Sequence, residues 1–308
     1  MTKTIDLIKG HMGGNEIILL YGDQIPKGKE LEIAQSILKE LGGDELGLFY
    51  KPEQGGDLKV KIVEISEPDY IPMCGGLTQV LGIALIETDF AEHFDIKINE
   101  PVTEVMLETD VGLVPLKIDV RRKKVVTNMK AFVDRCYELG VQSIRIAGVN
   151  GVKVGDYLVL NADDVKKVYP NVDFEKMDKE TLRVLEKIDS MFISCFTPAP
   201  SDLALYDLHP EHGGDGRVVF PWNISIGHIE PSCGTGTTAV GIAMAERGEI
   251  EATAETRLLF ESGGSPTIGG PDMTELRVTT REGRVVDACF SHSLVEILEI
   301  RKYTIRDC

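Results

Sequence analysis

Two cysteines in this chain stand directly before runs of small residues: Cys74 in "CGGLTQVLGIALIE" (74–87) and Cys233 in "CGTGTTAVGIAMAE" (233–246). The first residues of a helix leave backbone N–H groups unpaired, and the macrodipole adds partial positive charge there. That combination binds carboxylates, and glycine lets a ligand approach the backbone closely. It also lowers a thiol's pKa from about 8.5, so that thiolate is available near neutral pH. Cys-Gly-x-x-Thr at a helix start is therefore at once an anion hole and an activated sulfur. If two such sites face each other, a thiolate can take a Cα proton from one face while a thiol returns a proton to the other. This inverts a stereocentre by general acid–base catalysis, without pyridoxal phosphate or metal. The helix termini stabilise the charge that develops on the carboxylate.

The two stretches align without gaps. Seven of fourteen positions match: Cys74/Cys233, Gly75/Gly234, Thr78/Thr237, Gly82/Gly241, Ile83/Ile242, Ala84/Ala243 and Glu87/Glu246. The offset, 233 − 74 = 159 residues, is about half the chain and indicates a duplicated domain. After each cysteine the helix is apolar on every face, so it must be buried on every face. Each is expected to be the central helix of its own domain, with Gly82, Ala84, Gly241 and Ala243 letting neighbouring backbone pack closely. The surroundings should be strands. Suitable segments are "NEIILLY", "LKVKIVEI", "FDIKINE", "LVPLKIDV", "GDYLVLNA", "MFISCF", "LALYDL", "GRVVFPW", "ELRVTT" and "LVEILEI". Peripheral helices are expected at 27–41 and 174–188, the latter carrying the crossing between domains near 185–190.

At 308 residues two domains are the default. The 33 basic and 50 acidic residues give a net charge of −17, which argues against nucleic acid and anionic membrane as partners. The start, "MTKTIDLIKGHMGGN", has no apolar core of a signal peptide, and no apolar run approaches the ~18 residues of a membrane span. Six cysteines without a C-x-x-C pair read as free thiols of a reducing cytoplasm. Cys136, Cys195, Cys289 and Cys308 read as ordinary residues. "HPEHGG" (209–214) reads as a solvated loop rather than a metal site, and nothing else supplies a ligand set. "GVNGVKVGD" and "ESGGSPTIGGPD" read as hairpin turns. His11 reads as shaping a turn. His228, five residues before Cys233, is open between orienting a substrate and a structural or solvent-facing role.

These residues resemble the proline racemase family, within the wider diaminopimelate epimerase fold. The family's first cysteine lies in a segment like "MCGH", here "MCGG" (73–76), and its second in one like "DRSPCGTGTSA", here "IEPSCGTGTTA" (229–239). "HMGGNE" (11–16) is similar to the family's "HTGGEP", "NMKAFV" (128–133) to "NVPSFV", and "GDYLVLNA" (155–162) to "GGxFYAxVDA". The resemblance implies an α+β fold of two similar pseudo-symmetric domains, each a curved mixed β-sheet wrapped around a central helix. It implies no cofactor and a small-molecule carboxylate, an amino acid, as substrate. It points to Cys74 and Cys233 as the acid–base pair, with amides of Gly75, Gly76, Gly234 and Thr235 holding the carboxylate. Related hydroxyproline dehydratases usually lack the first cysteine, so two sulfurs argue for a racemase or epimerase.

Three departures are present. Gly76 stands where the family has His, and Asn15 where it usually has Glu. Glu230 replaces the Asp before the second cysteine only if one residue is deleted. The changes imply a substrate other than free proline. The expected domains are 1–187, completed by a C-terminal strand at 294–308, and 188–293; a homodimer is the one protein partner considered. Beside racemisation stand two other readings: an isomerase or dehydratase acting next to a carboxylate in the same site, and a carboxylate-binding protein without turnover.

Overall fold

The structure is a computed structural model that describes residues 3–197, 202–223 and 228–305, with backbone alone for 222, 223 and 228. Its contacts divide the chain into two compact units, 1–128 with 294–308, and 129–293.

The first unit begins with β1 (Lys3–Met12), β2 (Asn15–Tyr21), α1 (Glu30–Leu41), β3 (Glu45–Tyr50) and β4 (Leu58–Glu64). It continues through β5 (Tyr70–Ile71), α2 (Gly75–Glu87), α3 (Phe90–His93), β6 (Val102–Thr109), β7 (Gly112–Asp119) and β8 (Lys124–Asn128). The hairpin between β1 and β2 turns on Gly13 and Gly14, with φ of 56° and 98°. Glycine adopts both values without strain, as a two-residue hairpin requires. His11 Nδ1 accepts from the Gly14 amide at 3.1 Å and so fixes this turn.

The second unit holds α4 (Lys130–Leu139), β9 (Val141–Ile146), β10 (Val149–Val154), β11 (Tyr157–Asn161), α5 (Ala162–Val168) and α6 (Lys179–Cys195). Then come β12 (Asp202–Asp207), β13 (Gly216–Asn223), β14 (His228–Glu230), α7 (Gly234–Glu246), β15 (Glu255–Ser262), β16 (Asp272–Arg281) and β17 (Arg284–His292). The last strand, β18 (Val295–Ile305), returns to the first unit and pairs antiparallel with β1.

In the first unit the neighbours run β18–β1–β2–β3–β4–β6–β7–β8. The pairs β2–β3 and β4–β6 are parallel and the rest antiparallel. Parallel neighbours need a crossover; α1 makes the first and α2 the second. In the second unit the neighbours run β9–β10–β11–β12–β13–β15–β16–β17, with β11–β12 and β13–β15 parallel. Here α5 and α6 lie in the first crossover and α7 in the second. The succession of parallel and antiparallel neighbours is the same in both.

Each sheet curls about one helix. Strands β18, β1, β2, β3, β7 and β8 pack on α2, and residues Gly75 to Leu85 of that helix are all buried. Strands β9–β12, β16 and β17 pack on α7, buried from Gly234 to Ala245. The polar groups on these helices find partners. Thr78 Oγ1 meets Gly75 O and Thr127 Oγ1, each at 2.7 Å, and Gln79 donates to Thr127 at 2.8 Å. Thr237 and Thr238 bond back to the carbonyls of Cys233 and Gly234. The opposite face of each sheet is covered by amphipathic helices. Ile33, Ala34, Ile37 and Leu38 of α1 join Ile18, Leu20, Leu46 and Leu48; Leu185, Ile188 and Phe192 of α6 join Leu158, Leu160, Leu203 and Leu205.

The contact-defined units divide at 128/129, and residues 187/188 lie inside α6, whose buried face belongs to the core of the second unit. Three expectations require correction. "MFISCF" is the last turns of α6, not a strand. "FDIKINE" (94–100) forms no ladder, and Asn99 is held by reciprocal bonds with Thr103 instead. Of "GVNGVKVGD", residues 149–154 are strand β10 and only its ends are turns.

Candidate active site

Cys74 is the N-cap of α2 and Cys233 the N-cap of α7, and both helices are thirteen residues long. Their backbones share one extended conformation, φ −133°, ψ 121° at Cys74 and φ −139°, ψ 128° at Cys233. Such a residue turns its side chain back onto the first helical turn. Leu77 N donates to Cys74 Sγ at 3.2 Å, and Gly236 N donates to Cys233 Sγ at 3.5 Å. Ser, Thr, Asp or Asn would cap better, so a sulfur in this place is not explained by helix stability. Helix geometry provides no intrahelical acceptor for the amides of Gly75 and Gly76, or of Gly234 and Thr235. All four residues are buried at the positive ends of their helices.

Around Cys74, the first unit gathers Glu45, Asn15 and Gly76. Cys74 Sγ lies 3.3 Å from Glu45 Oε1, and both side chains are buried. Glu45 opens β3 and is paired with Ile17. Asn15 opens β2 and is buried. A Cβ on Gly76 would stand in ordinary contact with Met12, Ile17 and Asn15 Nδ2, at 3.4, 3.5 and 3.6 Å. Packing therefore does not demand glycine at 76.

Around Cys233, the second unit gathers Thr235, Tyr157 and Glu230. Thr235 Oγ1 is 3.2 Å from Cys233 Sγ, and the Tyr157 hydroxyl is 2.8 Å from Thr235 Oγ1. Burial above all, then the charges of Cys233 and Asp202, raise the Tyr157 phenol well above its ordinary value; Glu230 adds to the effect. Tyr157 therefore stays protonated. Glu230 ends β14 and is buried. His228 begins the same strand, and its side chain lies outside the described residues.

The remaining cysteines have other surroundings. Burial, reinforced by Asp156, pushes the Cys136 thiol far up, so it stays protonated in the core. Cys195 is exposed and Cys289 half-buried, while Cys308 lies outside the described residues. Among the described residues, no three His, Cys, Asp or Glu side chains gather as metal ligands. No helix among them is long and apolar enough to cross a membrane.

Sequence reasoning did not single out Glu45 or Tyr157. Glu45 carried one signal, a charged residue opening the otherwise apolar strand "ELGLFY". Tyr157 lay inside "GDYLVLNA", where its β-propensity accounted for it.

No family model and no curated protein matches the sequence. Solved structures do. A hydroxyproline epimerase from Agrobacterium vitis, with bound trans-4-hydroxy-L-proline, superposes with a TM-score of 0.67 at 16% identity, over 98% of this chain and 91% of that one. A probable proline racemase from Agrobacterium radiobacter K84, with bound carbonate, gives 0.66 at 15% identity, over 96% and 92%. A methylitaconate-delta-isomerase gives 0.59 at 13% identity, over 99% and 96%. The chain thus shares, over nearly its whole length, the fold of these epimerases, racemases and isomerases.

Proposed function

We propose that this chain is an isomerase, a cofactor-independent racemase or epimerase of an α-amino acid or a derivative of one. Cys74 and Cys233 are its acid–base pair. The observation that carries the reading is the matched capping: one buried helix per unit, each begun by a cysteine in the same conformation, each sulfur accepting the third helical amide. Inert core cysteines have no reason to occupy both helix starts. The solved relatives support the chemistry, since two are named for inversion at hydroxyproline or proline and the third as an isomerase.

In this reading the units are pseudo-symmetric halves, and each contributes one helix start to the chemistry. The substrate carboxylate is held by amides of Gly75, Gly76, Gly234 and Thr235. One sulfur, as thiolate, takes the Cα proton and becomes a thiol. The other gives its proton to the opposite face and becomes a thiolate, so the proton count is unchanged. Negative charge moving onto the carboxylate is stabilised by the two helix termini. Glu230 contacts the rest of the substrate. Free proline is not the preferred one, because Gly76 lacks the polar side chain that the family motif carries there.

The test is a panel of L- and D-amino and hydroxy acids in deuterated water, followed by proton NMR. Loss of the Cα–H signal with inversion is expected for at least one compound, and for none with Cys74→Ser or Cys233→Ser. A migrated double bond or an eliminated group would replace inversion with a related isomerase or dehydratase. Binding without exchange for any compound would overturn the enzymatic reading.

A further inference from the structure

We infer that the resting protein keeps its exchangeable proton on Cys74 and its thiolate on Cys233, a polarity set by Glu45 on one side and by Tyr157 and Thr235 on the other. The inference rests on the reading of these thiols as an acid–base pair. Both sulfurs accept one helix amide, so the helix termini do not distinguish them. Their second neighbours do. At Cys74 that neighbour is a carboxylate oxygen, 3.3 Å away. A carboxylate only accepts hydrogen bonds, so the sulfur must supply the hydrogen. Ionising Cys74 would place two negative charges in contact away from water, and like charges so close oppose ionisation.

At Cys233 the second neighbour is the Thr235 hydroxyl, at 3.2 Å. The buried Tyr157 phenol stays protonated and lies 2.8 Å from the same oxygen. In the proposed arrangement the phenol donates to Thr235, and Thr235 donates to the sulfur. Cys233 then receives two hydrogen bonds, from Gly236 N and from Thr235, as a thiolate does. The two ladders show where the difference arises. The pair Ile17–Glu45 opens the β2–β3 ladder, and Tyr157–Asp202 opens the β11–β12 ladder. An acid stands at this place in both units, but only in the second does a phenol stand opposite it, feeding the thiol's hydroxyl neighbour.

The consequence is a preferred direction at rest. The protein is loaded for the enantiomer whose Cα–H faces Cys233. After one turnover Cys233 holds the proton and Cys74 is a thiolate beside Glu45. A proton must then leave Cys233 and return to Cys74, through solvent, before the same enantiomer is taken again.

The test is brief alkylation with iodoacetamide at neutral pH, with the label at each cysteine read by peptide mass spectrometry and exposed Cys195 as internal standard. Only thiolate reacts, so each rate follows ionisation. Glu45→Gln keeps shape and removes the charge. It should raise labelling of Cys74 on the order of tenfold and leave Cys233 within about twofold. Thr235→Val keeps the amide and should lower labelling of Cys233 on the order of tenfold. An unchanged Cys74 rate in a Glu45→Gln protein with native circular dichroism overturns the inference. If that variant does not fold, the Thr235→Val result decides alone, and an unchanged Cys233 rate refutes it. Should labelling be too slow to read, ultraviolet thiolate absorbance should vanish in Cys233→Ser and persist in Cys74→Ser; the reverse refutes it. No substrate is used, so Cα exchange without this polarity refutes the inference alone. Polarity without exchange on the substrate panel refutes the proposed function alone.

Discussion

Gly82 and Gly241 occupy the same place in the two buried helices, yet alanine should be tolerated at only one. A Cβ on Gly82 would stand 2.5 and 2.8 Å from the two methyls of Val125 and 3.2 Å from its Cβ. Val125 is buried on β8, and a β-branched side chain has little freedom about χ1, so the strand itself must move. A Cβ on Gly241 would meet the far end of Leu276 at 2.6 Å and a Val278 methyl at 3.3 Å. Leu276 can answer by rotating its terminal torsion. Overpacking costs about 1–3 kcal/mol, and replacing glycine by alanine inside a helix returns about 1 kcal/mol. Gly82→Ala should therefore destabilise by about 2 kcal/mol, and Gly241→Ala should fall within about 1 kcal/mol of zero. On a unit of this size the first corresponds to a drop of roughly 4–8 °C in the melting transition. Val125→Ala removes two methyls at about 0.8 kcal/mol each, plus a cavity term. In the double variant the new Cβ at 82 enters that space, so the two losses should fall short of additivity by about 1–2 kcal/mol. Thermal and urea unfolding of the four proteins of this cycle measures the coupling. A Gly82→Ala protein more stable than the parent, or strict additivity with Val125→Ala, would refute the reasoning.

Cys74→Ser and Cys233→Ser should each abolish inversion in both directions, since serine is too weak an acid to supply the missing base. Each should still eliminate a good β-leaving group from the enantiomer facing its remaining sulfur; near-native racemisation by either variant would end the paired-thiol mechanism. Gly76→Ala should leave the melting temperature within about 2 °C, because its Cβ meets neighbours only at van der Waals distance. L-Proline should be inverted far more slowly than the best substrate, and parity between them would show that Gly76 does not shape specificity. Burial raises the Glu108 carboxyl, but bonds from the amides of Glu53, Gly56 and Gln54, with Lys59, outweigh it and hold the group below its ordinary 4.5. A carboxylate depressed on folding stabilises fully above that value and loses its contribution as pH falls through the folded one. Glu108→Gln should thus be less stable than the parent near neutral pH, by about 1–3 kcal/mol, with the gap closing in acid; a pH-independent gap counts against this.

The central helices were readable because their composition left no alternative: a helix apolar all round has to be enclosed, and repeated small residues say how closely. The peripheral helices were readable in type but not in extent. "MFISCF" carries strand-favouring residues, yet Leu185, Ile188 and Phe192 continue the buried stripe of α6 while Met191 and Ile193 face outward, 41% and 38% exposed. The 3.6-residue period outweighed local propensity there. "FDIKINE" alternates as a strand should, but alternation says nothing about whether a neighbouring strand is available to pair with. The unit boundary was unreadable for a related reason. The chain passes from β8 into α4 without a linker of distinctive composition, and only long-range contacts show where one core ends. At the candidate site, motif and spacing singled out both cysteines, and the structure shows each as a helix N-cap. Glu45 and Tyr157 come from strands distant in sequence and reach the thiols only through ladder register.

One repeat lay unread in plain sight, and it bears on why the thiols differ. "PEQGGD" (52–57) and "PEHGGD" (210–215) are counterparts, and the histidine cluster in the second is a fold device. Glu108 accepts from the amides of Glu53, Gln54 and Gly56; Glu261 accepts from those of Glu211, His212 and Gly214. Asp57 grips Met106 N at 2.7 Å, and Asp215 grips Leu259 N at 2.8 Å. Even the cation beside each loop is matched, Lys59 on Glu53 at 2.7 Å and Arg217 on Glu211 at 3.3 Å. These contacts fix where β4 and β13 begin, and the chain goes on from those strands to the helix starts. Two copies of a framework agree most where they hold backbone in place. Ile17 and Tyr157, Glu45 and Asp202, and Gly76 and Thr235 differ beside the thiols, while the strand pairings and helix starts that carry them match in kind. Inversion requires one proton on one of two sulfurs, a state that identical surroundings would not specify. Differences confined to the side chains beside the thiols are where such a choice can be made without disturbing the fold that aims them.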